Sequence, residues 1–215
     1  MIIINFKTNK IFFEMKLTGM VLASLMMLSE SPVNAGYGFG KCPSPAENSV
    51  DINRYLGRWY SITADWTIPF QGPWIGCVNA NYALNDDGSV KVFNYAYVWP
   101  WSFTAGLTSI EGAAQCFPTE GKCNVAFFSD PSVDGKRNYQ IIDTDYDNYS
   151  IVYNCDEYLG GLIYNNYFWI LSRTPTMSSQ EYDARYATIS EAVPSYQQWF
   201  WRSFTVQGDW CQYQS

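Results

Sequence analysis

The sequence predicts an all-β protein, an eight-stranded antiparallel up-and-down barrel with one C-terminal α-helix packed on its outside. Eight short stretches rich in Val, Ile, Tyr and Phe follow one another, and turn residues such as Asn, Asp, Gly and Pro separate them. One stretch with helical spacing comes after the eighth. A barrel is expected rather than an open sheet, because closing eight sequential strands leaves no exposed sheet edge.

Residues 1–35 have the features of a secretory signal peptide. Lys16 precedes the apolar run 17–28, and Val33-Asn34-Ala35 has the small-x-small pattern of a cleavage site. The apolar run is too short to span a membrane. Met15 is an alternative translation start, because residues 1–14 add a separate Ile- and Phe-rich piece. A buried N-terminal strand is the competing interpretation. Residues 36–215 are then expected to form one domain.

The strands follow an irregular N-terminal segment. Residues 36–53 are rich in Gly, Pro, Ser and Asn and are predicted to be irregular, and residues 51–56 could form a helical turn that closes the barrel floor. Residues 66–76 contain Pro and Gly, cannot pair regularly, and predict a long first loop. Alternation places the strands at about 58–65, 77–84, 89–98, 107–117, 122–129, 138–145, 149–155 and 164–173.

A helix follows the last barrel strand. Ser178 or Ser179 can cap it and Pro194 ends it. Its apolar stripe consists of Tyr182, Tyr186, Ile189 and Val193. This stripe is expected to pack on the barrel wall rather than to bind a ligand, since an amphipathic helix normally buries its apolar face. A final aromatic strand is predicted over 199–206.

The cysteines and the absence of histidine narrow the class of protein. An even number of cysteines in a secreted chain indicates three disulfides, without fixing their pairing. The six are Cys42, Cys77, Cys116, Cys123, Cys155 and Cys211. No metal site is expected, because the sequence contains neither a Cys-x-x-Cys pair nor a histidine. The lack of histidine also removes the commonest general base, which argues against an enzyme.

Charge and aromatic content bear on partners. The formal net charge is −7, which disfavours nucleic-acid and anionic-membrane partners. Phe, Trp and Tyr make up 18% of the chain. These side chains suit half-buried strands, and they also suit a pocket for a large flat ligand. Both interpretations stay open at this stage.

Three separated segments carry a family resemblance. They are Gly57-Arg58-Trp59, Thr144-Asp145-Tyr146 and Arg173, which ends the last barrel strand. In this order they resemble the three signature regions of the lipocalins. The resemblance implies that the Trp packs under the barrel floor and that the Arg stacks across its ring, a contact of roughly 0.5–2 kcal/mol. Trp59 and Arg173 are therefore expected to be structural. Asp145 and Tyr146 are expected to stabilise their turn or to form part of a receptor-facing floor rather than to be catalytic.

Within the lipocalins, the chain resembles apolipoprotein D, the insect bilin-binding proteins and, more distantly, the crustacyanins. Residues 40–43, 55–60, 80–82, 144–149 and 152–155 carry the likeness. The resemblance implies disulfides Cys42–Cys155 and Cys77–Cys211. That leaves Cys116 and Cys123 as the third pair, which departs from apolipoprotein D itself.

An eight-stranded barrel has an interior that can hold one small ligand. Val92, Asn94 and Ala96 share one strand face. If Asn94 points inward its amide needs a partner, because burying it unpaired costs roughly 1–3 kcal/mol; an outward Asn94 is the alternative. The resemblance implies Tyr82, Asn94 and Trp169 as ligand contacts. Strand alternation adds Tyr153 and Phe128.

The function predicted is a secreted, non-enzymatic lipocalin that binds and transports one small hydrophobic molecule: a lipid, sterol, bilin or carotenoid. No cofactor is required for this. The alternative is a pigment protein that binds an astaxanthin-type carotenoid, as the crustacyanin resemblance implies. An enzyme would need a free thiol or a buried acid.

Two further features are predicted at the surface. Asn148-Tyr149-Ser150 is a glycosylation sequon in a tight turn. Exposed aromatics could build a homo- or hetero-oligomer, and the candidates are Trp99, Trp101, Trp199 and Trp201.

Overall fold

The computed structural model describes residues 36–65, 68, 75–98, 106–196 and 202–213. Several predictions fall outside these ranges. They concern the signal peptide with its two candidate start sites, most of the first loop, and the four tryptophans proposed for an oligomer interface.

Eight consecutive antiparallel strands form the barrel wall. They are β2 (Gly57–Asp65), β3 (Ile75–Leu84), β4 (Val90–Val98), β5 (Gly106–Phe117), β6 (Lys122–Ala126), β7 (Tyr139–Thr144), β8 (Tyr149–Tyr158) and β9 (Ile163–Ser172). Strand β9 pairs back onto β2, with Tyr60 opposite Ser172 and Ala64 opposite Trp169. This last pairing closes the sheet and confirms the predicted up-and-down barrel.

Two short strands extend the sheet beyond the barrel. Strand β1 (Tyr37–Phe39) pairs with β9, so the prediction that all of 36–53 is irregular was wrong. Its three residues are too few to show an alternating pattern. Strand β10 (Arg202–Phe204) pairs with β2 and ends two residues before the predicted bound of 206; residues 199–201 of that prediction lie outside the described ranges.

Both expected helices are present. Helix α1 (Ile52–Tyr55) is the short turn before β2, and α2 (Ser179–Ala192) follows the barrel. Ser178 caps α2 and forms a reciprocal capping box with Glu181. None of the helices in the described ranges is long and apolar enough to cross a membrane.

The core has two layers. The outer layer lies between α2 and the barrel wall, where Tyr182, Ile189 and Val193 pack with Phe168 and Ile170. The predicted helix stripe therefore faces the barrel, as expected. The inner layer lies at the closed end of the barrel around Trp59, which has no exposed surface.

Three disulfides pair as the resemblance implied. They are Cys42–Cys155, Cys77–Cys211 and Cys116–Cys123. The first two join segments 113 and 134 residues apart, and the third joins directly opposed residues of β5 and β6. The long-range pair Cys77–Cys211 fixes the C-terminal segment to the barrel.

Candidate ligand cavity

The barrel encloses a cavity of about 720 Å³. Side chains from α1 and from strands on all sides of the barrel line it, and most of them are apolar. Among the lining residues that the structure describes, none carries a formal charge. The volume lies within the range of sites that bury most of a drug-sized ligand.

Asn94 lies on the inner face of β4. Val90, Val92, Ala96 and Val98 line the same cavity, as the strand alternation requires. The Oδ1 atom of Asn94 is buried and has no hydrogen-bond partner among the described residues. The inward alternative for Asn94 is therefore the one that the structure shows.

A second asparagine, Asn79, was not predicted. It is 2% exposed and lines the cavity. Its Nδ2 donates to the carbonyl of Cys77 at 3.0 Å, and its buried Oδ1 lacks a partner within the described chain. Sequence alternation could not find it, because Asn79 precedes the inward residue Ala80 and the register shifts between Gly76 and Asn79.

A chain of hydroxyl groups crosses the closed end of the cavity. The Tyr82 and Tyr139 hydroxyls are 3.1 Å apart, and those of Tyr139 and Tyr55 are 2.9 Å apart. Tyr55 continues the chain to the buried Ser150 Oγ at 2.9 Å. Burial raises the pKa of Tyr82 to about 12 and also raises the pKa of Tyr55 and of Tyr139, so these hydroxyl groups stay uncharged near neutral pH.

Trp59 and Arg173 seal the floor from below. The Arg173 guanidinium carbon lies 3.7 Å from the Trp59 ring centroid, the predicted cation–π contact. Each nitrogen of this guanidinium donates to a backbone carbonyl: Nε to Tyr146 at 2.9 Å, Nη1 to Arg58 at 2.7 Å and Nη2 to Leu56 at 2.9 Å. Arg173 thus ties α1, β2 and the β7–β8 turn together.

The Thr144-Asp145-Tyr146 segment forms the turn between β7 and β8. Asp145 Oδ1 accepts from the backbone N–H groups of Asn148 and Tyr149, at 2.8 and 3.0 Å. The Tyr146 hydroxyl accepts from the backbone N–H of Asp51 at 3.1 Å. These contacts hold the turn against α1, which agrees with a structural assignment for these residues.

Four of the five predicted ligand contacts line the cavity: Tyr82, Asn94, Trp169 and Phe128. Phe128 does so only at the open rim, from the loop that follows β6, because the strand ends at Ala126 rather than at 129, and the residue is 94% exposed. Whether these residues touch a ligand stays a prediction.

The inward placement of Tyr153 was wrong. Tyr153 lies on the outer face of β8, with its ring 4.9 Å from Phe168, and its hydroxyl donates to the carbonyl of Pro43 at 2.7 Å. Strand β8 is buried on both faces, since α2 covers its outside. In such a strand apolar residues point to both faces, so the sequence pattern does not show which face a given residue occupies.

Two other site residues, Tyr55 and Tyr139, were missed. Tyr55 ends the α1 turn, and Tyr139 begins β7. Alternation of apolar and polar residues does not extend on both sides of either position, so the sequence pattern does not show that these side chains point inward. Their hydroxyl groups become part of the site because α1, β3 and β7 meet at the floor of the closed barrel.

One buried acid lies outside the cavity. Asp65 is 2% exposed and accepts hydrogen bonds from the Phe168 backbone N–H at 2.6 Å and from the Tyr196 hydroxyl. Both carboxyl oxygens are therefore engaged by the protein. Burial raises the pKa of Asp65 to about 7.

The sequon residue Asn148 is exposed at the tip of the β7–β8 turn. Its Nδ2 donates to Asp145 Oδ2 at 2.8 Å, while the sequon hydroxyl of Ser150 is buried. Glycosylation of Asn148 stays a prediction.

Comparison with known proteins agrees with this architecture. Residues 50–198 match the family model described as a lipocalin-like domain. The chain is 37% identical to apolipoprotein D of Cavia porcellus over 162 residues, which cover 72% of this chain and 79% of the relative. It is 34% identical to apolipoprotein D of Rattus norvegicus over 159 residues, covering 73% and 78% respectively.

A solved structure has the same fold. Lobster apocrustacyanin A1 aligns with a TM-score of 0.64 at 22% identity, over 82% of this chain and 94% of that one. The matched family model and the similarity to apolipoprotein D agree with the closed eight-stranded barrel and with the contact between Trp59 and Arg173. The chain therefore belongs to the lipocalin family.

Proposed function

We propose that this lipocalin is a secreted carrier that binds and transports one small hydrophobic molecule inside its barrel. The observation that carries the proposal is the cavity of about 720 Å³, whose lining is mostly apolar and includes no charged residue among those that the structure describes. Moving an apolar molecule from water into such a lining is favourable by roughly 25 cal/mol for each Å² buried. A lipid, sterol, bilin or carotenoid offers this kind of surface.

The disulfides support the secreted part of the proposal. All six cysteines are paired, and disulfides of this number persist in oxidising compartments. A non-enzymatic role agrees with the same observation, since no thiol is left free to act as a nucleophile. The buried acid Asp65 does not line the cavity, and its oxygens are already engaged.

A pigment protein is the second candidate function. The cavity carries aromatic side chains from floor to mouth, from Tyr82 and Tyr139 to Trp169, Phe127 and Phe128. Flat conjugated molecules such as carotenoids pack well against such faces. An absorption spectrum of protein purified from its natural source tests this candidate. A visible band that denaturation abolishes is expected of a pigment protein, and a colourless protein rules it out.

A cavity-filling variant tests the carrier function. Ala80 lines the cavity, whereas Ala83 lies on an exposed part of the same strand. We expect saturable binding of a polarity-sensitive fluorescent fatty amphiphile by the natural protein and by Ala83→Trp, and loss of that binding in Ala80→Trp. Equal binding by both variants would place the amphiphile outside the barrel and overturn the proposal.

A further inference from the structure

We propose that the free edge of strand β5, formed by residues 107–111, pairs with the same edge of a second copy of this chain. The two strands join antiparallel, with Ser109 of one copy opposite Ser109 of the other. Pairing of this kind neither requires nor predicts ligand binding, so it goes beyond the carrier function. Three observations carry it: the edge is unpaired, it lacks the usual protection against pairing, and it fits itself.

Strand β5 extends beyond its neighbour β6. Its pairing with β4 covers residues 106–114, whereas its pairing with β6 covers only residues 113–117. The β6 chain leaves β5 at Gly112, where a side chain would collide with the carbonyl oxygen of Ala126. In the described part of the chain, β4 and β6 are the only strands that pair with β5. Residues 107–111 therefore form an open edge in the barrel wall, and all of them are exposed.

The hydrogen bonds of β6 show which β5 residues bond to that side. The Val125 N–H donates to the Asn138 side chain at 2.8 Å, and the Val125 carbonyl accepts from it at 2.9 Å, so both groups point away from β5. The residues on either side of Val125 therefore point towards β5, and Ala113 forms a hydrogen-bonded pair with β6. Cys116 and Cys123 agree, since their Cα atoms are only 4.0 Å apart, as in a pair without backbone hydrogen bonds.

The open edge presents backbone donors and acceptors. Ala113 bonds to β6, and backbone direction alternates along a strand. Leu107, Ser109 and Glu111 therefore point their N–H and C=O groups to the side where β6 has ended. Thr108 lies between them and bonds to β4 instead. An edge of this kind is a template for pairing with another strand.

This edge lacks the usual protection against pairing. Soluble proteins commonly protect an open strand edge with Lys, Pro, a β-bulge or an inward-pointing charge. Residues 107–111 contain no Lys or Pro, and their register with β4 runs without a shift. The charged residue of this stretch, Glu111, is paired with Lys91 at 2.8 Å. The ion pair neutralises the charge that could otherwise keep a second strand away.

The edge also fits a second copy of itself. About a two-fold axis at Ser109, Leu107 of one copy lies opposite Glu111 of the other, and the short Ser109 side chain lies opposite itself. Like charges do not face each other in this register. The pairs made by these residues are all of the hydrogen-bonded type, in which each pair exchanges both N–H···O bonds. An antiparallel pair of β5 strands therefore satisfies the open edge of both copies.

Pairing would also extend the barrel wall. Thr108 and Ile110 line the cavity from the inner face of β5, and Ser109, on the outer face, lines it as well. The cavity thus reaches the open edge, where the wall stops. A second β5 strand continues the sheet across this gap. It also shields apolar surface there, such as Leu107, which is 44% exposed, and Phe128, which is 94% exposed.

Mass in solution and hydrogen exchange test the pairing. Sedimentation of the purified, disulfide-bonded protein at physiological ionic strength, where repulsion between copies of net charge −7 is screened, should show one chain becoming two as concentration rises. As the dimer forms, NMR should show slower amide exchange at Leu107, Ser109 and Glu111, with no change at Thr108. A dimer without this alternating protection overturns the proposal. So does a chain that stays single at the highest concentration, even if an added extended peptide protects the same N–H groups.

Two charge variants test the two-fold register. Ser109→Lys and Ser109→Glu each place like charges opposite each other at the axis, so each variant alone should associate about fivefold more weakly. An equal mixture of the two places opposite charges there and should restore association. The control Thr119→Lys adds a charge at an exposed turn at the other end of β5 and should leave association unchanged. Circular dichroism checks that each variant is folded. Folded variants that associate as the natural protein does, or a mixture that stays monomeric, would rule out this register.

Discussion

Arg173 holds the floor of the barrel through the shape of its guanidinium as well as through its charge. Arg173→Lys keeps the charge but loses the planar stack on Trp59 and most of the bonds to backbone carbonyls. We expect the free energy of unfolding in urea to fall by more than about 2 kcal/mol. Lys91→Ala, which breaks an exposed ion pair with Glu111, is the control and should cost less than about 1 kcal/mol. Equal losses of unfolding free energy in the two variants would show that the guanidinium contacts stabilise the fold no more than an exposed ion pair does.

Asn94 is expected to reduce the stability of the ligand-free protein. Its buried Oδ1 has no partner in the described structure, so Asn94→Leu should raise the free energy of unfolding by about 1 kcal/mol. The control Asn81→Leu removes an amide oxygen that accepts from Arg58 Nε at 3.2 Å and should lower stability. Thermal unfolding of the ligand-free proteins measures both. Destabilisation by Asn94→Leu would mean that Asn94 serves the fold rather than the ligand.

Asp65 gives folding stability a defined dependence on pH. Burial raises its pKa from 3.8 to about 7, so the folded state holds a proton that the unfolded state has released. This contribution is fully present below pH 3.8 and is lost as pH rises through about 7. The expected slope is at most roughly 1.4 kcal/mol per pH unit. Urea unfolding across this window should show the slope in the natural protein and a flatter profile in Asp65→Asn. Identical dependence of unfolding free energy on pH in the two proteins would contradict a raised pKa for Asp65.

At the residue scale, alternation grouped side chains on one strand face but did not always say which face points inward. Asn94 lies on β4, whose outer face carries half-buried residues such as Lys91; alternation placed it with Val92 and Ala96, and the lipocalin resemblance favoured the inward face. Tyr153 lies on β8, which is buried on both faces, so alternation alone could not assign it. Tyr55 and Tyr139 became site residues only through contacts made by closing the barrel.

The C-terminal segment completes the barrel wall where two strands separate. Strands β2 and β3 pair only up to Tyr60 and Asn79, and β10 continues along β2 beyond that point. The Gln207 amide then donates to the carbonyls of Ser61 and Val78, at 3.0 and 2.8 Å, which joins the two separated strands. Sequence patterns predicted a last strand but not this insertion, because it depends on a register shift near Cys77.

Gln207 therefore joins β2 to β3, and no pattern in the sequence around it predicts this role. In Gln207→Ala we expect faster hydrogen exchange at the backbone N–H of Cys77, which donates to the carbonyl of Val206 at 2.8 Å. The N–H of Arg173, which bonds at the far end of the barrel, serves as an internal control and should not change. Equal exchange at Cys77 in both proteins would show that backbone pairing alone holds the segment.

The disulfides are expected to differ in their effect on stability. The chain-entropy relation gives about 5 kcal/mol for the 134-residue separation of Cys77–Cys211 and about 2 kcal/mol for the 7-residue separation of Cys116–Cys123. The double replacement Cys77→Ser/Cys211→Ser should therefore lower the free energy of unfolding roughly twice as much as Cys116→Ser/Cys123→Ser. A larger loss from the short-range pair would contradict this order.

At the scale of the whole molecule, strand order, barrel closure and the outer helix were all predictable, because they follow from alternation, turn residues and the spacing of the signature segments. The cavity was only a possibility at that stage. Whether an eight-stranded barrel is hollow depends on the summed volume of inward side chains, and small residues such as Ala80, Ala96 and Ala114 leave the space open.

The most direct test of a hollow, ligand-binding barrel is a crystal structure with dodecanol that carries bromine on its far carbon. Anomalous scattering locates the bromine without reference to the protein. We expect one bromine inside the barrel, in the cavity that Asn94 and Trp169 line. Bromine found only on the outer surface, around an empty or filled barrel, would contradict the account.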